Sequence, residues 1–300
     1  MTNRTHNGHL RLIVEDRFSG IRLDHYINTH FESFSRERIR RMIRCGDVRV
    51  NDSPALTYSR LRAGDIVEFA PPGSRIVPQD LPLDIIYEDN DIITVNKQAG
   101  MMVHPARGQN TDTLANALAC RGGCFEYGIV HRLDRDTSGV IVLAKNPRAN
   151  TILSKQFANR RVEKGYLAIV HGMPQPAAGQ IELPIGADPK FPDRYTVCPD
   201  GKYSLTLYDT VLHGGGVSLL KVQIKTGRTH QIRVHLAHIG CPIIGDTVYG
   251  RHTETLISRC ALHASSLKLR HPSTGRHLII QADMPEDMKK VRMGLINSDK

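Results

Sequence analysis

Two carboxylates, two guanidiniums and an imidazole fall within His131-Arg132-Leu133-Asp134-Arg135-Asp136-Thr137-Ser138-Gly139, between the apolar runs Gly128-Ile129-Val130 and Val140-Ile141-Val142-Leu143-Ala144. Short apolar runs bounded by turn residues read as strands, the second of them buried. The charged segment is therefore a connection at a sheet edge, with Thr137-Ser138-Gly139 making the turn. A carboxylate held there points in a fixed direction, and the arginines beside it suit phosphates. Two readings follow from the residues alone. One is an acid group presented to a polyanionic substrate; the other is a turn stiffened by Asp134 and Asp136 pairing with Arg132 and Arg135.

A second group that bears on chemistry is Arg233. Thr229 caps a helix that Gly240 ends; Ile232, Leu236 and Ile239 form its buried stripe, and Gln231, His235 and His238 lie opposite. Arg233 falls at the margin of the stripe, where a guanidinium partly withdrawn from water needs a carboxylate. Asp134 is the partner this reading selects, and the pair would keep the aspartate ionised. An internal ion pair without catalysis fits the same geometry. Tyr166, in an apolar run, reads from pattern alone as an ordinary strand residue.

These groups need a scaffold, and 300 residues suffice for one large domain and a small one. Forty Lys and Arg against thirty Asp and Glu give a formal charge of +10, which favours a polyanionic partner. Leu10–Val14 is too short and too interrupted for a signal peptide and no run has membrane-spanning length, so a cytosolic protein is expected, with no membrane partner. Six cysteines then read as reduced thiols. Cys120 and Cys124 have no second pair at matching spacing, so no metal is expected. Without tryptophan, base stacking falls to Tyr, Phe, His or Arg.

Residues 1–70 hold twelve arginines, no lysine and nine acids, a net of +3, and five of those arginines lie from Arg36 to Arg44. Ser35 caps a helix that Gly46 ends, with Ile39, Met42 and Ile43 as its inner stripe. Arg36, Arg40 and Arg44 form one outer row, with Arg41 and Arg38 further round. A helix through Leu23, Tyr26, Ile27 and Phe31 precedes it, and strands Val48–Val50 and Ile66–Phe69 follow. Arg22-Leu23-Asp24, Ser35-Arg36, Gly46-Asp47-Val48, Val50-Asn51 and Gly64-Asp65 make this unit resemble the ribosomal-protein-S-four-like RNA-binding domain, over about residues 20–70. A solvated basic helix with no ligand is the plainer reading.

The expected division is, by that resemblance, an RNA-binding domain over residues 10–70, then a Pro-rich linker over 71–82 and a second, larger domain over 83–300. In the last, strand signals at Ile85–Tyr87, Ile92–Val95, Tyr166–Val170, Leu205–Val211, Leu219–Ile224 and His277–Ala282 alternate irregularly with helices, and His213-Gly214-Gly215-Gly216 reads as a hairpin turn. The fold class is α+β, with a mixed, largely antiparallel sheet.

The string His131-Arg132-Leu133-Asp134, two further residues, then Thr137-Ser138-Gly139 resembles the signature of the RluA-type pseudouridine synthases. Lys225-Thr226-Gly227-Arg228-Thr229-His230-Gln231-Ile232-Arg233 and Arg161-Val162-Glu163-Lys164-Gly165-Tyr166 are similar to two more of its motifs. Weaker matches are Tyr87-Glu88-Asp89, Asn96-Lys97 through Gly100, His104-Pro105, Gly201-Lys202, Leu262-His263-Ala264 and His271-Pro272. Gln98 stands where the family usually has proline, and Cys260 where glutamine is common; both bear on loop rigidity. The resemblance implies that Asp134 is the essential carboxylate, that Arg233 pairs with it, that Tyr166 packs on the target base and that Arg132 supports an everted nucleotide. His104 and His263 read as structural.

What this implies is the isomerisation of uridine to pseudouridine in structured RNA, most of all in large-subunit ribosomal RNA or a pre-ribosomal particle, by a monomer without cofactor. A single carboxylate would attack the anomeric carbon or remove a neighbouring sugar proton, and the residues leave both open. Alternatives are a transfer-RNA pseudouridine synthase, a non-catalytic RNA-binding or ribosome assembly factor, and a nucleoside or glycoside hydrolase. The last ordinarily needs a second carboxylate.

Overall fold

A computed structural model describes residues 4–6, 9–31, 36–44, 47–56, 58–69, 76–105, 111–121, 128–191, 194–250 and 256–297. The chain divides into two compact units, Met1–Val77 and Pro78–Lys300.

In the first unit, strands β1 (Arg4–His6) and β2 (His9–Ile13) precede helices α1 (Leu23–His30) and α2 (Arg36–Arg44), followed by β3 (Val48–Val50), β4 (Ser53–Pro54) and β5 (Ile66–Phe69). The antiparallel sheet has the order β1-β2-β5-β3-β4. Apolar residues three and four apart put Leu23, Tyr26 and Ile27 of α1 and Ile39, Met42 and Ile43 of α2 into one core with Val48, Val67 and Phe69. Phe31 follows α1 as its cap rather than lying within it, and packs edge-on against Phe69. The pairs Val50-Asn51 and Gly64-Asp65, distant in sequence, meet: Asn51 donates to Asp65 at 2.8 Å and accepts the Ile66 amide at 2.8 Å. The expected cap and stop of α2, Ser35 and Gly46, lie outside the described residues.

The second unit runs β6 (Asp84–Glu88), β7 (Ile92–Lys97), α3 (Leu114–Cys120), β8 (Gly128–Ile129), β9 (Ser138–Ala144), α4 (Pro147–Ala158), β10 (Glu163–His171), β11 (Ala178–Glu182), β12 (Ile185–Ala187), β13 (Tyr195–Val197), β14 (Leu205–Gly214), β15 (Val217–Ile224), α5 (Gln231–His238), β16 (Leu262–Arg270), β17 (His277–Gln281) and α6 (Glu286–Asn297). Among the described residues ten strands form one sheet in the order β11-β14-β15-β10-β16-β9-β7-β6, with β17 also on β16 and β8 on β9. All its pairings are antiparallel except β9 with β16. β12 and β13 form a separate antiparallel pair. The hairpin at His213–Gly216 turns on Gly215 and Gly216, both at positive φ.

The sheet forks at β16, whose His263 and Ala264 pair with β9 while Ser266–Arg270 pair with β17. Gly139 sits at that fork with φ 112°, and a β-carbon there would collide with the Ala264 carbonyl, so only glycine fits. Strand β9 is buried along its whole length: Ile141 and Leu143 face the larger core, and Val140, Val142 and Ala144 face the one covered by Ala149 and Leu153 of α4.

Two boundaries differ from expectation. The second half of the expected linker belongs to the second unit, because Gln79 is held by the Asn116 carbonyl (3.1 Å) and the Asp112 amide (2.6 Å) and Leu81 packs on the core. The turn in the charged connection is at Arg135-Asp136, closed by the Thr137 amide on the Asp134 carbonyl (3.2 Å); Ser138 and Gly139 are already in β9.

Candidate active site

The charged connection is pinned at several points. Next to β8, His131 stacks on Phe157 of α4 (4.6 Å between ring centroids, 17°) and its Nε2 accepts the Val142 amide at 3.1 Å. Burial, with the nearby Lys164 charge, pushes this imidazole down to about 3, so it is a neutral pin. Leu133 enters the core, Arg132 lies exposed at the mouth of a cavity, and Asp134 points into it. The Arg135 carbonyl accepts the Gly100 amide (2.9 Å) and the Lys97 ammonium (3.0 Å), and the Asp136 carbonyl accepts Arg259 (3.3 Å). Lys97 also donates to the Gln98 and Met101 carbonyls. Its burial drives the amine down to about 7 against the pull of Asp136 and Asp134.

Arg233 reaches the same place from α5. That helix begins one residue later than expected, after a left-handed His230 (φ 55°, ψ 20°), and Thr229 does not cap it. Its polar side is turned to water only in part: His238 is exposed, whereas Gln231 and His235 are not. Gln231 is buried and bonds Leu205, Thr206 and Thr226, and His235 is buried between the Thr206 hydroxyl (2.9 Å) and the Leu183 carbonyl (3.0 Å). The buried polar groups of the helix are thus satisfied internally.

Asp134 is not the main partner of Arg233. The guanidinium forms a bidentate pair with the fully buried Asp246, at 2.8 Å on each oxygen, and reaches Asp134 Oδ2 at 3.5 Å with its remaining nitrogen. Burial alone would raise the Asp246 carboxyl; the Arg233 hydrogen bonds and charge, with the Val248 and Tyr249 amides, hold it below the usual range. His230 Nε2 stands 4.0 Å from the same Asp134 oxygen. Arg233 and His230 thus both face Oδ2, and among the described residues no hydrogen bond is made to Oδ1.

That cavity has a volume of about 830 Å³ and is lined by Asp134, Tyr166, His230 and Arg233 together. Tyr166, on β10, is buried, and burial followed by the Asp134 charge pushes its ionisation far up, so the phenol is neutral. Among the described residues, seven Lys and Arg line the cavity against two Asp. Lys164, among them, donates to the Thr226 carbonyl (2.8 Å), and burial, with Arg160 nearby, brings its amine down to about 8. His263 bonds Ser138 (2.9 Å) and the Ala282 carbonyl (3.2 Å) inside the fold, whereas His104 is exposed at the cavity. Cys260 approaches Asp246 (3.9 Å), so this departure from the family pattern touches the support of Arg233 and not a loop alone.

In the first unit Arg36, Arg40 and Arg44 are exposed on α2, and the Arg41 side chain lies outside the described residues. Arg40 is not a free cation: Asp24, buried, holds it at 3.2 Å and Arg22 at 3.0 Å. Asp89, Asp91 and His271 lie close enough to resemble a metal site. Their lone pairs are already used, since Asp89 accepts from Tyr87, Asp91, Ile92 and His271, and His271 Nδ1 accepts the Ser273 and Thr274 amides. The donor set fits a turn rather than a metal.

Three comparisons bear on this geometry. The family model described as RNA pseudouridylate synthase matches residues 91–238, which include Asp134, Tyr166 and Arg233. An RNA pseudouridine synthase of Chlorobaculum parvum, otherwise uncharacterised, is 41% identical over 303 residues, covering 90% of this chain and 93% of that one. The chain belongs to the RNA pseudouridylate synthase family. The ribosomal large subunit pseudouridine synthase D of Xanthomonas campestris is 36% identical, covering 94% of this chain and 91% of that one. The solved structure of the human RNA pseudouridylate synthase domain containing 1 is 27% identical, with a TM-score of 0.59 over 73% of this chain and 96% of that one. This RNA pseudouridylate synthase is accordingly an isomerase acting on RNA. Among the described residues no helix is long and apolar enough to cross a membrane.

Sequence reasoning missed Asp246, His230 and Tyr249 as supports of the site. The available signal was Gly245-Asp246-Thr247-Val248-Tyr249-Gly250, an acid and a tyrosine between two glycines directly after the apolar Ile243-Ile244.

Proposed function

We propose that the enzyme converts specific uridines of large-subunit ribosomal RNA to pseudouridine, with Asp134 acting at the sugar, Arg233 steering it, Tyr166 packing on the uracil and Arg132 bracing the everted nucleotide. One observation carries this reading. A half-exposed carboxylate is anchored through a single oxygen to a buried guanidinium, beside a neutral phenol, in a cavity with a basic rim. Its free oxygen suits the positive character that develops at an anomeric carbon as the N-glycosidic bond breaks. The released uracil turns and rejoins through C5; N1 gains a proton and C5 loses one, so the change balances without co-reactant or cofactor.

A paired base is out of reach of this cavity, and eversion costs a few kcal/mol, which contacts to phosphates and a stacking surface offset. The exposed arginines of α2 fit an S-four-like grip on RNA over residues 10–70, ahead of a catalytic domain from residue 83. Similarity to a large-subunit enzyme along nearly the whole chain favours ribosomal over transfer RNA. Such a substrate puts the enzyme in the cytoplasm, on ribosomal RNA or a pre-ribosomal particle.

The test is chemical mapping of pseudouridine across total RNA with and without the protein. New pseudouridine confined to large-subunit RNA is expected, absent with Asp134→Asn, while RNA affinity stays within a few fold. Parental turnover by Asp134→Asn refutes the assignment, modification of transfer RNA alone moves the substrate, and release of free uracil would make the enzyme a hydrolase.

A further inference from the structure

Tyr249 serves both groups that flank Asp134 Oδ2. Its ring lies 5.1 Å from the Arg233 guanidinium carbon, and its hydroxyl is 2.9 Å from His230 Nδ1. The same hydroxyl oxygen accepts the Tyr195 amide at 2.9 Å. A phenol has one proton to give, and with the amide arriving at its oxygen that proton is directed at Nδ1. Nδ1 is then the bare nitrogen and Nε2 carries the imidazole proton. The other end of the ring demands the same arrangement: Nε2 faces Asp134 Oδ2 at 4.0 Å, where an N–H is attracted and a lone pair repelled.

We propose that Tyr249 locks His230 in the Nε2–H tautomer, and that His230 is a positioning residue which, with Arg233, holds Asp134 by Oδ2 and so presents Oδ1 to the sugar. The second half rests on Asp134 being the reacting carboxylate. The groups facing His230 are Asp134, Arg233, Asp246, Tyr195 and Tyr249, and the two tyrosine rings meet it edge-on. Its left-handed backbone, which a β-carbon adopts only at a cost, keeps the ring between them. A contact of 4.0 Å is loose for a hydrogen bond, as donors to a reacting group commonly are before substrate binds.

One turn supplies the whole arrangement. Asp246 Oδ1 accepts the Val248 and Tyr249 amides (2.9 and 3.1 Å) while the carboxylate grips Arg233, so the turn that fixes the guanidinium also aims the tyrosine. A β-carbon on Gly245 would strike the Arg259 carbonyl, and one on Gly250 the Asp246 carbonyl. The segment Gly245–Gly250 is therefore built around this conformation and is the positioning element of the carboxylate.

The test uses the full chain labelled with nitrogen-15 histidine, its His230 signals assigned by their loss in His230→Gln. Long-range proton–nitrogen correlation is expected to show the Nε2–H pattern in the parent and a tautomer mixture in Tyr249→Phe, which keeps the ring but loses the phenol proton. With RNA substrate, Tyr249→Phe and His230→Ala should each lower kcat about tenfold while KM moves less than about twofold. His230→Gln, whose amide can donate towards the same oxygen, should recover most of the loss. An Nδ1–H pattern in the parent overturns the lock, and parental kcat in both Tyr249→Phe and His230→Ala overturns the positioning role. Parental turnover by Asp134→Asn removes the premise of that role together with the proposed function, whereas the spectrum still decides the lock by itself.

Discussion

Replacing Asp246 by asparagine keeps the shape of the site and removes the charge that the Arg233 guanidinium faces on two of its edges. Breaking a buried pair from one side leaves an uncompensated charge, so Asp246→Asn should cost about 3 kcal/mol of stability and lower kcat about a hundredfold through misplacement of Arg233. Asp134 is part-exposed and more loosely held, so Asp134→Asn should change stability by less than about 1 kcal/mol while abolishing turnover. Urea unfolding beside single-turnover kinetics separates the two carboxylates; equal stability losses would contradict this division. Lys97 offers a pH test. Its amine is held at about 7 in the fold, below its value of 10.5 when free, so between those limits the unfolded chain binds the extra proton and stability rises with pH. The stability of the parent relative to Lys97→Met should therefore increase from pH 7 to pH 9.5, and a flat difference would show that the buried amine keeps its ordinary basicity.

Among the elements, the β6–β7 and β16–β17 turns are joined by Asp89 and His271 at 2.7 Å. Burial opposes the ionised Asp89 carboxyl, but the Tyr87 hydroxyl, the Ile92 and Asp91 amides and His271 together hold it at about 2, below its ordinary 3.8. A depressed carboxylate stabilises above its unfolded pKa and loses that contribution as pH falls through the folded one. Asp89→Asn should thus be less stable than the parent by about 2 kcal/mol at pH 7, with the gap closing between pH 4 and pH 2 in thermal or urea unfolding. Gly139→Ala tests the fork in the sheet. With φ at 112° and the Ala264 carbonyl in the way, even a methyl group must part β9 from β16, five residues from Asp134, and turnover and stability should fall together.

For the molecule as a whole, each unit closes its own core, so residues 78–300 should fold cooperatively without the first 77. Their affinity for RNA should be weaker than that of the full chain. Counter-ion release makes log affinity fall with log salt by about 0.9 per phosphate neutralised on a duplex. Arg40 is engaged by Asp24, so Arg36 and Arg44 are the exposed cations expected to count in that row. Arg36→Gln with Arg44→Gln in the full chain should therefore flatten the slope by about 2 and leave turnover at saturating RNA unchanged. An unaltered slope would mean that α2 does not touch phosphates.

The sequence by itself determined the elements whose signal is local. Alternation and β-branched runs marked β7, β9, β14 and β15, the two glycines marked the hairpin after His213, and the three-and-four spacing of Ile39, Met42 and Ile43 fixed the inner face of α2. Pattern also singled out Asp134 and Arg233, the family resemblance added Tyr166, and the cavity gathers all three. Only the tertiary structure decided who holds what. Arg233 turned to Asp246, thirteen residues away, because a deeply buried bidentate partner outweighs a part-exposed carboxylate at 3.5 Å, and Arg40 was claimed by Asp24 from another helix. Gln231 and His235 of α5 faced strands instead of water, and His230 became its left-handed N-cap, because sheet topology sets what covers a helix and helical periodicity does not record it. Composition and spacing name the groups capable of chemistry; which oxygen of Asp134 is left free depends on partners that only folding brings within reach.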